Sequence, residues 1–87
     1  MKYRVDFTRQ SRKQLDQLPA TIKKRIIKRL LALEDNPQPS TAKKLSGQEQ
    51  LWRVRVGDYR IIYQIQGDIL VVLVLRIAHR REAYRAL

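Results

Sequence analysis

The 87-residue sequence contains no cysteine, so neither a disulfide nor a thiolate metal site can help to hold it together. A chain of this length lies near the lower limit at which one apolar core suffices, and it reads as a single domain over residues 1–87. With one histidine and eight scattered carboxylates it also lacks a metal-ligand cluster of recognisable spacing. Neither a metal nor a small-molecule cofactor is expected. Long apolar runs are missing too. The longest, Ile69 to Leu75, is far too short to span a bilayer. The opening MKYRVDFTRQ carries charge throughout and shows no signal peptide. There is no internal repeat and no low-complexity tract. Together these absences describe a soluble, cytoplasmic domain with no membrane partner.

Negative charge is scarce as well. Nineteen Lys and Arg against eight Asp and Glu leave a net charge of +11 and a pI near 10.8. Such a domain repels itself and attracts polyanions, among which RNA, DNA, ribosomes and acidic proteins are the candidates. Charge alone does not choose among them.

The segment KYRVDF alternates, with Tyr3, Val5 and Phe7 on one side and Lys2, Arg4 and Asp6 on the other. That is the pattern of a strand with one buried face. Thr8 is placed to cap a short helix over residues 8–18 that carries Leu15 and Leu18. Pro19 ends that helix or opens the next. In the second helix Ile22, Ile26, Leu30 and Leu33 recur at helical spacing, and Ile27 and Leu31 widen the stripe. Its remaining surface, Lys23, Lys24, Arg25, Lys28 and Arg29, reads most simply as solvated, with nucleic-acid backbone contact as the sharper alternative.

Residues 36–50, NPQPSTAKKLSGQEQ, read as a polar loop. LWRVRV, the turn Gly57-Asp58 and YRIIYQI then form a hairpin, and glycine in first place suits a type II′ turn. A second turn at Gly67-Asp68 leads into ILVVLVLRIA, apolar on both faces like a central strand covered on both sides. The expected order is β-α-α-β-β-β plus a short C-terminal helix. This is an α+β fold, a small twisted, mainly antiparallel sheet packed on an N-terminal helical hairpin.

The hairpin contains an oddity. With a two-residue turn, Arg55 stands directly opposite Arg60, and Arg53 lies two residues along on the same face. Like charges so paired cost about 0.2–1 kcal/mol. An anion held between them reverses that sign, and arginine is suited to grip phosphate oxygens with two prongs. The bland alternative is that the side chains splay into solvent. The last strand delivers His79, Arg80 and Arg81 at its end, and Tyr84 follows about one helical turn later. Taken singly, His79 is an ordinary surface histidine, Tyr84 a helix residue docking on the sheet, and Arg81 with Arg85 a solvated face. Taken together, cations from three strands converge around one phenol and one imidazole.

The blocks RVRVGDYRIIYQI and VLVLRIAHRREAYR resemble the RelE branch of the RelE/ParE superfamily of toxins from bacterial toxin–antitoxin pairs. The order of elements and the length match over essentially the whole chain. The resemblance implies a metal-independent mRNA endonuclease that acts in the ribosomal A site and inhibits translation. It also implies a cognate antitoxin that wraps the toxin and blocks its site. Carried over by position, it implies roles for Arg53 and Arg55 on the second strand, Arg60 after the turn, Arg80 after the last strand, and Tyr84 in the C-terminal helix. Two departures stand out: arginine occupies positions where lysine is common, and the segment from Arg80 to Tyr84 is short.

Metal-free RNA cleavage uses the ribose 2′-OH as nucleophile and leaves a 2′,3′-cyclic phosphate and a 5′-OH. It needs a base for the 2′-proton, cations for the charge growing on the phosphorane, and an acid for the leaving 5′-oxygen. On this reading Arg60 and Arg80 face the phosphorane, Arg53, Arg55 and Arg81 bind RNA phosphates, and Tyr84 is the base or acid with His79 as its rival. Arginine stays protonated and cannot serve as a titrating amine. Two other classes remain open: a ParE-like toxin that binds DNA gyrase, and a non-catalytic basic module that binds RNA or protein.

Overall fold

The alternating N-terminal segment becomes β1 (Arg4–Phe7), and two helices follow, α1 (Arg9–Asp16) and α2 (Ala20–Asp35). Next come β2 (Lys43–Lys44), β3 (Leu51–Val56), β4 (Tyr59–Gln66) and β5 (Val71–His79). The structure, a computed structural model, describes residues 2–45 and 50–81. The strands form one sheet in the order β1-β5-β4-β3-β2. Only the β1–β5 pairing is parallel; the other three are antiparallel. The α+β class and the expected order of elements are both present. The short C-terminal helix expected from the sequence lies outside the described residues.

Both helices pack on one face of the sheet. Leu15, Ile26, Leu30 and Leu33 meet Val54, Val56, Ile61, Tyr63, Ile65, Val72, Val74 and Ile77 in one core. The Thr8 hydroxyl accepts from the Ser11 N–H at 3.1 Å, which caps α1 as the sequence suggests. β1 ends at Phe7, opposite Val74, so the rest of the β5 edge has no strand beside it. Side chains of α1 take over there. The Ser11 hydroxyl donates to the Val74 carbonyl at 2.7 Å, and the Gln14 amide oxygen accepts from the Ile77 N–H at 2.8 Å. The Val74 carbonyl also accepts from the Thr8 N–H at 3.1 Å, so Ser11 reinforces a bond already made, whereas Gln14 satisfies an Ile77 N–H that has no strand beside it.

Four details differ from the expectations. First, Ile27 and Leu31 do not widen the buried stripe; they are 39% and 56% exposed, lining an open groove that α2 forms with Val5 and Phe7 of β1 and Arg12 and Leu15 of α1. Second, the polar loop contains β2, whose Lys43 and Lys44 pair with Arg53 and Trp52. Backbone pairing decides that strand, and two lysines carry no strand pattern. Third, β5 starts at Val71 and not at Ile69. The turn closes with Leu70 at φ 54°, and the Leu70 carbonyl accepts from the Arg4 N–H at 2.8 Å, tying the turn to β1. Fourth, α1 is shorter than residues 8–18. At Gly57-Asp58, by contrast, the positive φ of 60° falls on Gly57 alone, as type II′ geometry requires.

No helix among the described residues is long and apolar enough to cross a membrane.

Candidate functional site: a cationic sheet face

The face of β3, β4 and β5 turned away from the helices is built in cross-strand rows. Val56 pairs with Tyr59 and Arg55 with Arg60, the register expected from the turn. Directly opposite residues of an antiparallel pair share a face. One row therefore runs Arg55, Arg60, Ala78, and the next runs Lys43, Arg53, Ile62, Arg76. Five cations from four strands thus occupy two adjacent rows. The strand sequences LWRVRV, YRIIYQIQ and VVLVLRIAH contain no Asp or Glu. The ion pairs Arg4–Asp6, Arg12–Asp16, Lys23–Asp16 and Lys2–Asp35 involve β1, Lys2 just before it and the two helices.

Arg60 is the unusual member. It is 6% exposed, while Arg55 across from it is open to solvent. Its Nε is buried and has no hydrogen-bond partner among the described residues. Its Nη1 makes only a long 3.4 Å contact with the carbonyl of Tyr59. A buried guanidinium without an anion costs several kcal/mol, and a pure stability argument does not retain it. A fixed, desolvated, under-used donor set is what stabilises a developing negative charge, because it does not have to reorganise.

A bulge sets the geometry of the last strand. Ile62 pairs with Arg76 but Tyr63 pairs with Val74, leaving Leu75 as an extra residue on β5. Beyond the bulge the alternation is inverted. Ile77 joins Val72 and Val74 in the core, and Arg76 comes to the cationic face. His79 is carried to the helix side. It pairs with Tyr59, and the two rings meet edge-on with centroids 5.7 Å apart. The Nδ1 of His79 accepts from the Arg81 N–H at 3.4 Å. The Arg80 N–H donates to the Asp58 carbonyl at 2.7 Å, which sets the Arg80 backbone beside the β3–β4 turn, at the corner where Arg55 and Arg60 pair.

Of the residues singled out from sequence, Arg53, Arg55 and Arg60 share one face, and Arg80 follows at its corner. Arg81, exposed, comes just after Arg80. His79 is parted from them by the sheet. Tyr84 lies outside the described residues. Lys43 and Arg76 escape a reading of the sequence, since one sits in an apparent loop and the other falls at the wrong phase of a strand. A concavity of about 770 Å³ bordered by Tyr3, Gln64, Gln66 and Asp68 lies at the opposite end of β4 and includes none of these cations.

Known proteins share this fold and sequence pattern. Toxin RelG of Mycobacterium tuberculosis is 32% identical over 98% of this chain and 99% of its own. The mRNA interferase toxin RelE of Escherichia coli is 26% identical over 95% of this chain and 88% of its own. The toxin in the RelE–RelB complex of Pyrococcus horikoshii superposes with a TM-score of 0.82 at 34% identity, covering 95% of this chain and all of that one. The family model of the ParE toxin of type II toxin–antitoxin systems matches residues 5–84. On fold and sequence alike, the chain belongs to that toxin family as a RelE-like member.

Proposed function

We propose that this protein is a metal-independent mRNA endonuclease that cuts in the ribosomal A site, stops translation in the cytoplasm, and is neutralised by a cognate antitoxin. The observation that carries the reading is Arg60, a buried guanidinium with an unpartnered Nε, set opposite Arg55 among strands whose own sequences hold no carboxylate.

On this proposal the 2′-OH attacks the adjacent phosphorus while Arg60 and Arg80 bind the non-bridging oxygens. Arg53, Arg55 and Arg81 hold the flanking phosphates, and Lys43 and Arg76 extend that grip across the neighbouring row. Tyr84 serves as base or acid. His79, turned toward Tyr59, has no part in proton transfer. The antitoxin acts by covering the cationic face, and an acidic toxin-binding segment suits a +11 partner.

The test uses purified ribosomes stalled with an empty A site on a defined mRNA, with 5′ ends mapped by primer extension. A-site cuts by the wild-type protein, lost or slowed in Arg80→Ala and Tyr84→Phe, support the reading. Intact mRNA beside growth arrest in cells sinks it. That outcome moves the activity to DNA gyrase, the reading to which the ParE name of the family points.

A further inference from the structure

A second cluster of cations lies outside this face. A cleft of about 450 Å³ opens between α2 and the end of β3, bordered by Arg25, Lys28, Arg29 and Ala32 from the helix and by Arg55, Val56 and Gly57 from the hairpin. The four helix residues follow the i, i+3, i+4, i+7 spacing of a single helix face. β2 pairs only with Trp52 and Arg53, so the edge of β3 from Val54 onward is uncovered there. The Arg25 guanidinium lies over the turn: a β-carbon built on Gly57 would sit 3.3 Å from its Nη1. The carboxylates on α2 that form ion pairs or lie near them, Glu34 and Asp35, are at its other end. Arg25, Lys28, Arg29 and Arg55 have no ion-pair partner among the described residues. Four unneutralised cations around one cleft repel one another, and a bound anion reverses that cost.

We propose that this cleft is a second RNA-backbone site, which takes phosphodiester groups upstream or downstream of those on the cationic face. Arg55 connects the two, because it borders the cleft and also pairs with Arg60. A nucleic-acid strand offers one charge per nucleotide and so can follow a track around the hairpin tip. An acidic amphipathic helix needs apolar anchors as well, and the cleft supplies only Ala32 and Val56. The groove bordered by Phe7, Leu15, Ile27 and Leu31 is the surface that suits such a helix. The proposal rests on the RNA-directed reading above for the identity of the polyanion.

Binding of a 2′-O-methyl RNA 20-mer tests it, measured by fluorescence anisotropy over a salt series. This RNA has no 2′-OH, so binding is read independently of cleavage. In the Arg25→Gln/Arg29→Gln variant Kd rises by about tenfold at low salt, and the slope of log K against log salt shrinks by about 1.4, two single-strand phosphate contacts. A poly-glutamate 20-mer loses less than RNA does. Unchanged RNA affinity and slope overturn the proposal. So does an equal loss for both probes, which marks a general positive field, or a loss for poly-glutamate alone, which marks a protein seat. Because Arg25 packs on Gly57, Lys28→Gln/Arg29→Gln serves as a second variant if the first melts early. A slope that shrinks in the variant, beside a wild-type protein that cuts no mRNA, removes the cleavage reading and leaves this site standing.

Discussion

The two faces of strands β3 to β5 have opposite physics. On the helix side, Val54, Ile61, Tyr63, Val72 and Val74 are fully buried, and the apolar groups account for one another. On the other side, Arg53, Arg55, Arg60 and Arg76 are gathered in two rows with no carboxylate on those strands. One face is explained by stability. The other works against it, and its explanation has to come from a ligand. A small domain tolerates this because the helix-side core is continuous and α1 is fastened to β5 by Ser11 and Gln14.

The contrast can be broken from either side. Ile61→Ala opens a cavity at the centre of the core and lowers unfolding free energy by about 2–5 kcal/mol, a large part of the total for a domain of this size. Urea denaturation measures it, and the molecules that stay folded cleave at the wild-type rate. Arg60→Met has the reverse signature. It replaces a buried charge by an apolar chain of similar length, so stability stays level or rises. Cleavage on stalled ribosomes falls by about 10²–10³-fold. A variant that loses both, or neither, erases the difference between the faces.

Tyr63 sharpens the comparison. Its hydroxyl donates to the Pro37 carbonyl at 2.8 Å, and burial pushes its pKa from 10.0 to about 12. The protonated phenol is thus bound more strongly by the folded state than by the unfolded one. The resulting stability is fully present below pH 10 and disappears as pH rises toward 12. Its size is roughly 2–3 kcal/mol. Unfolding curves at pH 9 to 12 should fall more steeply for the wild type than for Tyr63→Phe, whose loss of the bond to Pro37 is the same at every pH. The smallest effect belongs to His79. His79→Ala leaves the cleavage rate within about twofold, since the ring faces Tyr59 and not the arginines. A hundredfold loss in the same assay would return the imidazole to the chemistry.

Much of the fold is legible in the sequence because it rests on local patterns. The period-two alternation of KYRVDF, the threonine before α1, the leucine and isoleucine stripe of α2 and the Gly-Asp turn each act within a few residues. The turn alone makes Arg55 and Arg60 a pair, since a two-residue connection leaves one register. β2 is illegible because Lys43 and Lys44 are strand only by virtue of the Arg53 and Trp52 backbone beside them. Ile27 and Leu31 follow the right helical period, yet they line a groove that β1 and α1 border without closing.

The amino-acid sequence by itself determined the α+β order, the hairpin register, the excess of positive charge and the lack of carboxylates within the strands β3, β4 and β5. These are properties of composition and short-range spacing. Tertiary structure decided which side of the sheet each cation occupies. One extra residue at Leu75 inverts the alternation of β5, bringing Arg76 to the arginine rows and taking His79 away from them. Tertiary structure also decided that Arg60 is buried with an idle donor, and that Arg25, Lys28 and Arg29 meet the hairpin tip across a cleft. The reason is physical: a bulge and a helix–sheet crossing are set by packing between distant segments, and neither leaves a periodic signal in the chain.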